Sequence, residues 1–222
     1  MLLVLWDVDG TLVRTAGHGR YAFEDAFKAV VGRDPEPVDY AGRTDKQIAL
    51  MMLAGEAEHL PRVLEELEGA LEQRKEAMRR EGYAYPGVAE VLEALHGRDD
   101  VIQSLLTGNI KANAIVKVSA FGLDRWLDFD VGAYGSDPHE ERGDLVAVAR
   151  ERAAAKYAEP TGAVLVGDTP LDVRAARYAG ARAVAVATGF SDPDDLRASG
   201  PDAYLDDFAD TDAAVAAITA ST

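Results

Sequence analysis

A chain of 222 residues, 48% of them hydrophobic, is long enough for one large domain or for a core with a smaller insert. Its formal net charge of −16 argues against a nucleic-acid-binding surface, which is usually basic, although a bound metal can still admit an anionic substrate. With no cysteine, disulfides, thiol catalysis and Cys-ligated zinc are excluded together.

The first element is Leu2–Trp6, an apolar run that reads as a buried strand. It has no basic segment before it and is too short for a signal peptide or a membrane span, so a soluble cytoplasmic protein without membrane contact is expected. The strand runs out into "DVDGTL", residues 7–12. In an extended chain residues i and i+2 point the same way, so Asp7 and Asp9 are expected to face one site. Two like charges so placed repel, and one is pushed toward protonation unless a cation joins them. Asp-Gly is also an ordinary turn dipeptide, but the cost of placing two like charges together favours a functional reading of this stretch over the turn alone.

Residues 15–86 carry no strand pattern and read as three helices. One runs from about Gly19 to Val31, with Tyr21, Phe23, Phe27 and Val30 apolar and Gly32 as its stop. A second starts at Thr44, where Thr44-Asp45-Lys46-Gln47 matches a capping box, and ends at Gly55. A third starts at Pro61, carries Leu64, Leu67, Leu71 and Met78 on one face, and stops at Gly82. A helical insert over 15–86 between core segments 1–14 and 87–222 is therefore expected.

Beyond the insert, strands and helices alternate. Val88, Val91, Leu92 and Leu95 mark a helix, and 101–106 a strand that ends in "LLTGN", residues 105–109. A helix with Ile115, Val116 and Val118 follows, then Arg142 within "HEERGDLVAVAR" just before a helix with Leu145, Val146, Val148 and Ala149. The strand 163–166 leads into "LVGDTPLD", where Thr169 can cap, Pro170 suits the first helical position and Asp172 lies one turn beyond Asp168. An alanine-rich helix to Ala179, a strand at 183–187, a weak strand Ala203–Leu205 and a helix over 213–219 complete the chain. This alternation predicts an α/β fold, a doubly wound parallel sheet with helices on both faces.

In such a sheet ligands bind beyond the carboxyl ends of the strands, where Asp7, Asp9, Thr107, Gly108, Asn109 and Asp168 would all arrive. Convergent carboxylates need a hard cation, and an oxygen-only donor set suits Mg²⁺. A hydroxyl, backbone amides and one guanidinium beside them make a site for moving a phosphoryl group.

Asp-x-Asp-Gly-Thr-Leu, Thr-Gly-Asn and Gly-Asp-Thr-x-x-Asp, in this order and at strand ends, resemble the haloacid dehalogenase-like hydrolase superfamily. The insert after the first motif is similar to the cap of its phosphoglycolate phosphatase and beta-phosphoglucomutase branch. The resemblance implies a Rossmann-like core and a phosphatase acting on a small-molecule phosphate monoester. It implies Asp7 as a nucleophile that forms an aspartyl-phosphate, and Asp9 as general acid and then base. Gly10, Thr107, Gly108 and Asn109 would bind the phosphoryl oxygens. Asp7, the Asp9 carbonyl and Asp168 would hold Mg²⁺, with Asp172 behind them. The family usually has a lysine where Arg142 stands; Arg142 keeps the charge with a different geometry, and Lys156 is its rival.

Asp9 and Asp168 argue against the dehalogenase branch, which needs neither. A phosphonatase would use a cap lysine, and Lys28 and Lys46 are simpler as surface charges. A phosphomutase of the beta-phosphoglucomutase type and a non-catalytic phosphate-binding relative remain as alternatives, as do monomer and homodimer. Within "AGRTDKQ", residues 41–47, Arg43 beside a helix amino terminus is expected to grip a carboxylate or hydroxyl of the substrate.

Overall fold

Strand β1 (Leu2–Trp6) alternates between two buried faces, Val4 and Trp6 on one and Leu3 and Leu5 on the other. A strand apolar on both faces belongs in the middle of a covered parallel sheet. In the computed structural model, which describes residues 1–40, 42–139 and 141–220, that is where it lies. Ala41 of "AGRTDKQ", Glu140 of "HEERGDLVAVAR", and Ser221 and Thr222 at the end of segment 87–222 lie outside the described residues.

After β1 come β2 (Val13–Arg14), helices α1 (His18–Val31), α2 (Asp45–Leu53) and α3 (Leu60–Glu81), then β3 (Tyr83–Ala84). The chain continues through α4 (Val88–His96), β4 (Val101–Thr107), α5 (Lys111–Ala120), β5 (Ala133–Tyr134), α6 (Asp144–Lys156), β6 (Gly162–Gly167) and α7 (Pro170–Tyr178). It ends with β7 (Arg182–Val186), α8 (Pro193–Ala198), β8 (Ala203–Leu205) and α9 (Thr211–Thr219). Six strands form one parallel sheet in the order β5-β4-β1-β6-β7-β8. The order reverses beside β1, so the switch point falls between β4 and β6.

One face of the sheet packs Val4, Trp6, Val164 and Val184 against α4, α5 and α9; the other packs Leu3, Leu5, Leu165 and Ala183 against α6, α7 and α8. Helices α1–α3 build a third cluster around Phe27, Leu53, Leu67 and Met78, which Ile110, Val116 and Ala120 complete. Helix α5 is therefore covered from two sides, Ala114 and Val118 facing the sheet while Val116 and Ala120 face the insert.

All three insert helices form where expected. On α3 the fully buried stripe is Val63, Leu67, Leu71 and Met78, with Leu64 half-buried at its margin. The insert region does contain a strand, contrary to expectation. β3 pairs antiparallel with β2 and ties together the two points where the chain crosses between sheet and helices. At two residues it is too short to show a period.

Candidate active site

Beyond Trp6 the Asp7 amide still donates to the Val166 carbonyl of β6 at 2.9 Å, and Gly10 then turns the chain at φ 90°. Asp7 and Asp9 have different partners. The Arg142 guanidinium donates from Nη2 to Asp7 Oδ1 at 2.9 Å and to Asp172 Oδ1 at 2.6 Å. Asp9 Oδ2 instead accepts from Lys117 Nζ at 2.6 Å and from Asn109 Nδ2 at 2.9 Å. Both aspartates line one cavity of about 610 Å³, as residues i and i+2 of an extended run would.

The carboxylate cluster consists of Asp7, Asp168 and Asp172, whose oxygens come within 4.8 Å of one another. All three are buried. The strand end of β6 delivers Asp168, which accepts from Thr11 Oγ1 at 3.0 Å. Its carboxylate fills the space beside Gly10 and Gly189 and leaves no room at either position for a Cβ. Asp172 closes a capping box at the start of α7, accepting on Oδ2 from the Thr169 amide and hydroxyl. Its other oxygen remains for Arg142.

Burial is the main reason the Asp7 carboxyl is pushed above the usual carboxylate range; Arg142 opposes it, and Asp172 and Asp9 add repulsion. Asp168 is pushed up by burial and then by Asp7 and Asp172. Desolvation thus outweighs the Asp7–Asp9 repulsion that the sequence suggests. Arg142 is held charged because Asp172 and Asp7 together outweigh its burial. Arg142 pairs with Asp7 and Asp172 and leaves Asp168 with only the Thr11 hydroxyl, so the donor set of hard oxygens fits a divalent cation.

Opposite the carboxylates, Thr107 ends β4. Its hydroxyl accepts from Asn109 Nδ2 at 2.8 Å and from the Asn109 amide at 3.3 Å. Gly10 lines the cavity, yet its N–H already donates to Val13, so its contribution is the room it leaves for Asp168. Arg43 also lines the cavity and is half-exposed, with Nε donating to the Asp39 carbonyl at 3.0 Å. Lys156 is not a rival to Arg142. It pairs with Asp128 and Asp130, while Arg142 touches Asp7.

Two buried charges escaped the sequence reading. Lys117 lies on α5 between the two apolar faces and is bound to Asp9 and Asn109. Asp45, the first residue of α2, is buried against the 107–110 loop, where burial pushes its carboxyl up to about 6 against the pull of Lys117. The signal for Lys117 is a charge inside the apolar pattern Ile115, Val116, Val118.

An open parallel sheet with buried carboxylates beyond the ends of β1 and β6, a hydroxyl at the end of β4 and a helical insert above them defines an α/β enzyme whose site lies at a switch point. The family model of the haloacid dehalogenase-like hydrolases matches residues 1–180. The chain belongs to that family. It is 30% identical over 217 residues to the probable phosphatase IndB of Dickeya dadantii, covering 94% of this chain and 90% of that protein. To the phosphoglycolate phosphatase of Synechococcus elongatus it is 32% identical over 215 residues, 93% of each chain. The fold is shared with the crystal structure of CbbY from Rhodobacter sphaeroides in complex with phosphate, with a TM-score of 0.71, 22% identity, and 94% and 95% of the two chains covered. No helix among the described residues is long and apolar enough to cross a membrane.

Proposed function

We propose that the protein is a Mg²⁺-dependent phosphatase that hydrolyses a small-molecule phosphate monoester through an aspartyl-phosphate on Asp7. The observation that carries this reading is the Asp7, Asp168 and Asp172 cluster at the ends of β1 and β6 with Arg142 bound to its nucleophile. The phosphatase and phosphoglycolate phosphatase names of its relatives point the same way.

Arg142 holds Oδ1 of Asp7 and leaves Oδ2 to attack phosphorus. The bond between Asp7 Oδ2 and phosphorus forms, giving a mixed anhydride, as the bond to the leaving oxygen breaks, and Asp9 delivers its proton to that oxygen. Asp9 then takes a proton from water as the water oxygen attacks phosphorus, and Asp7 departs as a carboxylate. Thr107, with the backbone around Gly108 and Asn109, holds phosphoryl oxygens. The buried Nε of Arg142 has no hydrogen-bond partner among the described residues, and a phosphoryl oxygen would supply one. Asp7, Asp168 and the Asp9 carbonyl would hold Mg²⁺, backed by Asp172. The ion would neutralise charge on the phosphoryl group so that an anionic nucleophile can approach it.

Residues 15–86 act in this reading as a cap over the core formed by 1–14 and 87–222, hinged at the β2–β3 pair, with Arg43 presented to the leaving group. Inorganic phosphate release from a panel of glycolate, sugar and nucleoside monophosphates in the presence of Mg²⁺ tests it, scored on kcat/KM. Release from one or more esters is expected. Isomerised product without free phosphate would mean a mutase, and binding of every ester without turnover would mean a non-catalytic relative.

The charge arrangement carries a second expectation. Arg142→Ala should lower kcat/KM by about 30- to 1,000-fold, the ~2–4 kcal/mol that a close charge contributes in a dry site. Arg142→Lys should recover part of the loss, because a lysine keeps the charge without the planar fork. Near-normal kinetics in the alanine variant would assign the role to another cation, with Lys117 the first candidate.

A further inference from the structure

Helix α5 begins without a cap of its own, because Ile110 at its N-cap position has no polar side chain. The amide of Ile110 itself is held by another element. Asp45, at the start of α2, accepts from the Ile110 amide on Oδ2 at 2.8 Å, while its own amide donates to the Gly108 carbonyl at 2.8 Å. One residue of the insert thus clasps the backbone on both sides of Asn109. The approach is close. A Cβ on Gly108 would stand 2.8 Å from the Arg43 carbonyl oxygen and 3.0 Å from the Thr44 Cα. A carboxylate buried this deeply is costly unless its bonds are made, so its place is set by them.

The residue clasped in this way is the one that holds Asp9. The Asn109 amide donates from Nδ2 to Asp9 Oδ2 and to Thr107 Oγ1, and its Oδ1 accepts from Lys117 Nζ at 2.5 Å. Lys117 in turn donates to Asp9. Asn113, one turn before Lys117 on the same face of α5, adds a hydrogen bond to Asp45. We propose that Asp45 is a positioning residue: by clasping Gly108 and Ile110 it fixes Asn109, and through Asn109 and Lys117 it aims the Asp9 carboxylate over the leaving oxygen. Seating of the insert on the core and assembly of the acid step become one event. This rests on the phosphatase reading, in which Asp9 protonates the leaving group.

The experiment compares Asp45→Ala with Asp45→Asn, which keeps an oxygen for the Ile110 amide. An alkyl phosphate needs protonation of its leaving oxygen; an activated aryl phosphate needs little. In Asp45→Ala the aryl-to-alkyl ratio of kcat should rise about ten-fold or more, both rates falling, while Asp45→Asn should stay within about three-fold of the parent ratio. Amide exchange at Ile110, read on the same proteins, should be slow in the parent and in Asp45→Asn and at least about ten-fold faster in Asp45→Ala. A residue that only supports the fold would lower both rates alike and leave the ratio unchanged. That result with an active parent overturns the inference alone, as does an asparagine variant that behaves like the alanine one. A parent that hydrolyses neither ester overturns the phosphatase reading itself, and the acid-step assignment falls with it.

Discussion

Asp7→Asn is expected to lower kcat by about four orders of magnitude or more, because the amide is nearly the shape of the carboxylate but offers no anionic oxygen to phosphorus. The fold should not suffer in proportion. Asp7 is buried beside Asp168 and Asp172, and burial and repulsion already strain its ionised form. A neutral amide relieves that strain and still accepts one hydrogen bond from Arg142. Ligand binding should therefore persist, and the melting temperature should hold or rise while turnover collapses. The measurement is single-turnover phosphate release together with thermal unfolding of the same preparation. A variant that retains more than about a hundredth of the parental kcat would show that the nucleophile is another group.

Much of the site was legible because strand ends are legible. Asp7, Thr107 and Asp168 each follow an apolar run, and three parallel strands must deliver them to one edge of the sheet. Arg142 could be placed only beside a rival, since sequence gives no distance; its contact with Asp7 distinguishes it from Lys156, which is tied to Asp128 and Asp130. Lys117 was hidden for a different reason. A helix packed against both the sheet and the insert has no solvated face in its middle, so a charge there looks like a surface break in an apolar pattern. Asp45 figured in the sequence only as part of the Thr44–Gln47 capping box, and the box is present, but docking of α2 on the 107–110 loop is what buries the carboxylate. Asp7 and Asp9 line one cavity, as their i, i+2 spacing suggests, but which cation each carboxylate meets, Arg142 or Lys117, is set by the fold and not by that spacing. Strands as short as β3 and β5 carry no period at all.

Removal of divalent metal should abolish turnover, by about three orders of magnitude or more, and Mg²⁺ should restore it where Ca²⁺ does not, since Ca²⁺ takes longer and more numerous oxygen contacts. The reasoning is a charge balance. Three buried carboxylates meet one guanidinium, which engages Asp7 and Asp172 and leaves Asp168 with a neutral hydroxyl partner, Thr11. A phosphate monoester would bring further negative charge to the same place, and Arg142 alone cannot offset both. The same balance predicts an effect that needs no catalysis. Mg²⁺ that binds only the folded protein should raise its stability by about 2.7 kcal/mol at a hundred times the dissociation constant, seen as a higher melting temperature. Asp168→Asn should remove most of that rise, because it withdraws the anionic oxygen that no cation among the described residues engages. Full turnover after exhaustive chelation, or an undiminished thermal shift in Asp168→Asn, would place the metal elsewhere and leave the carboxylate cluster without the counter-ion its burial demands.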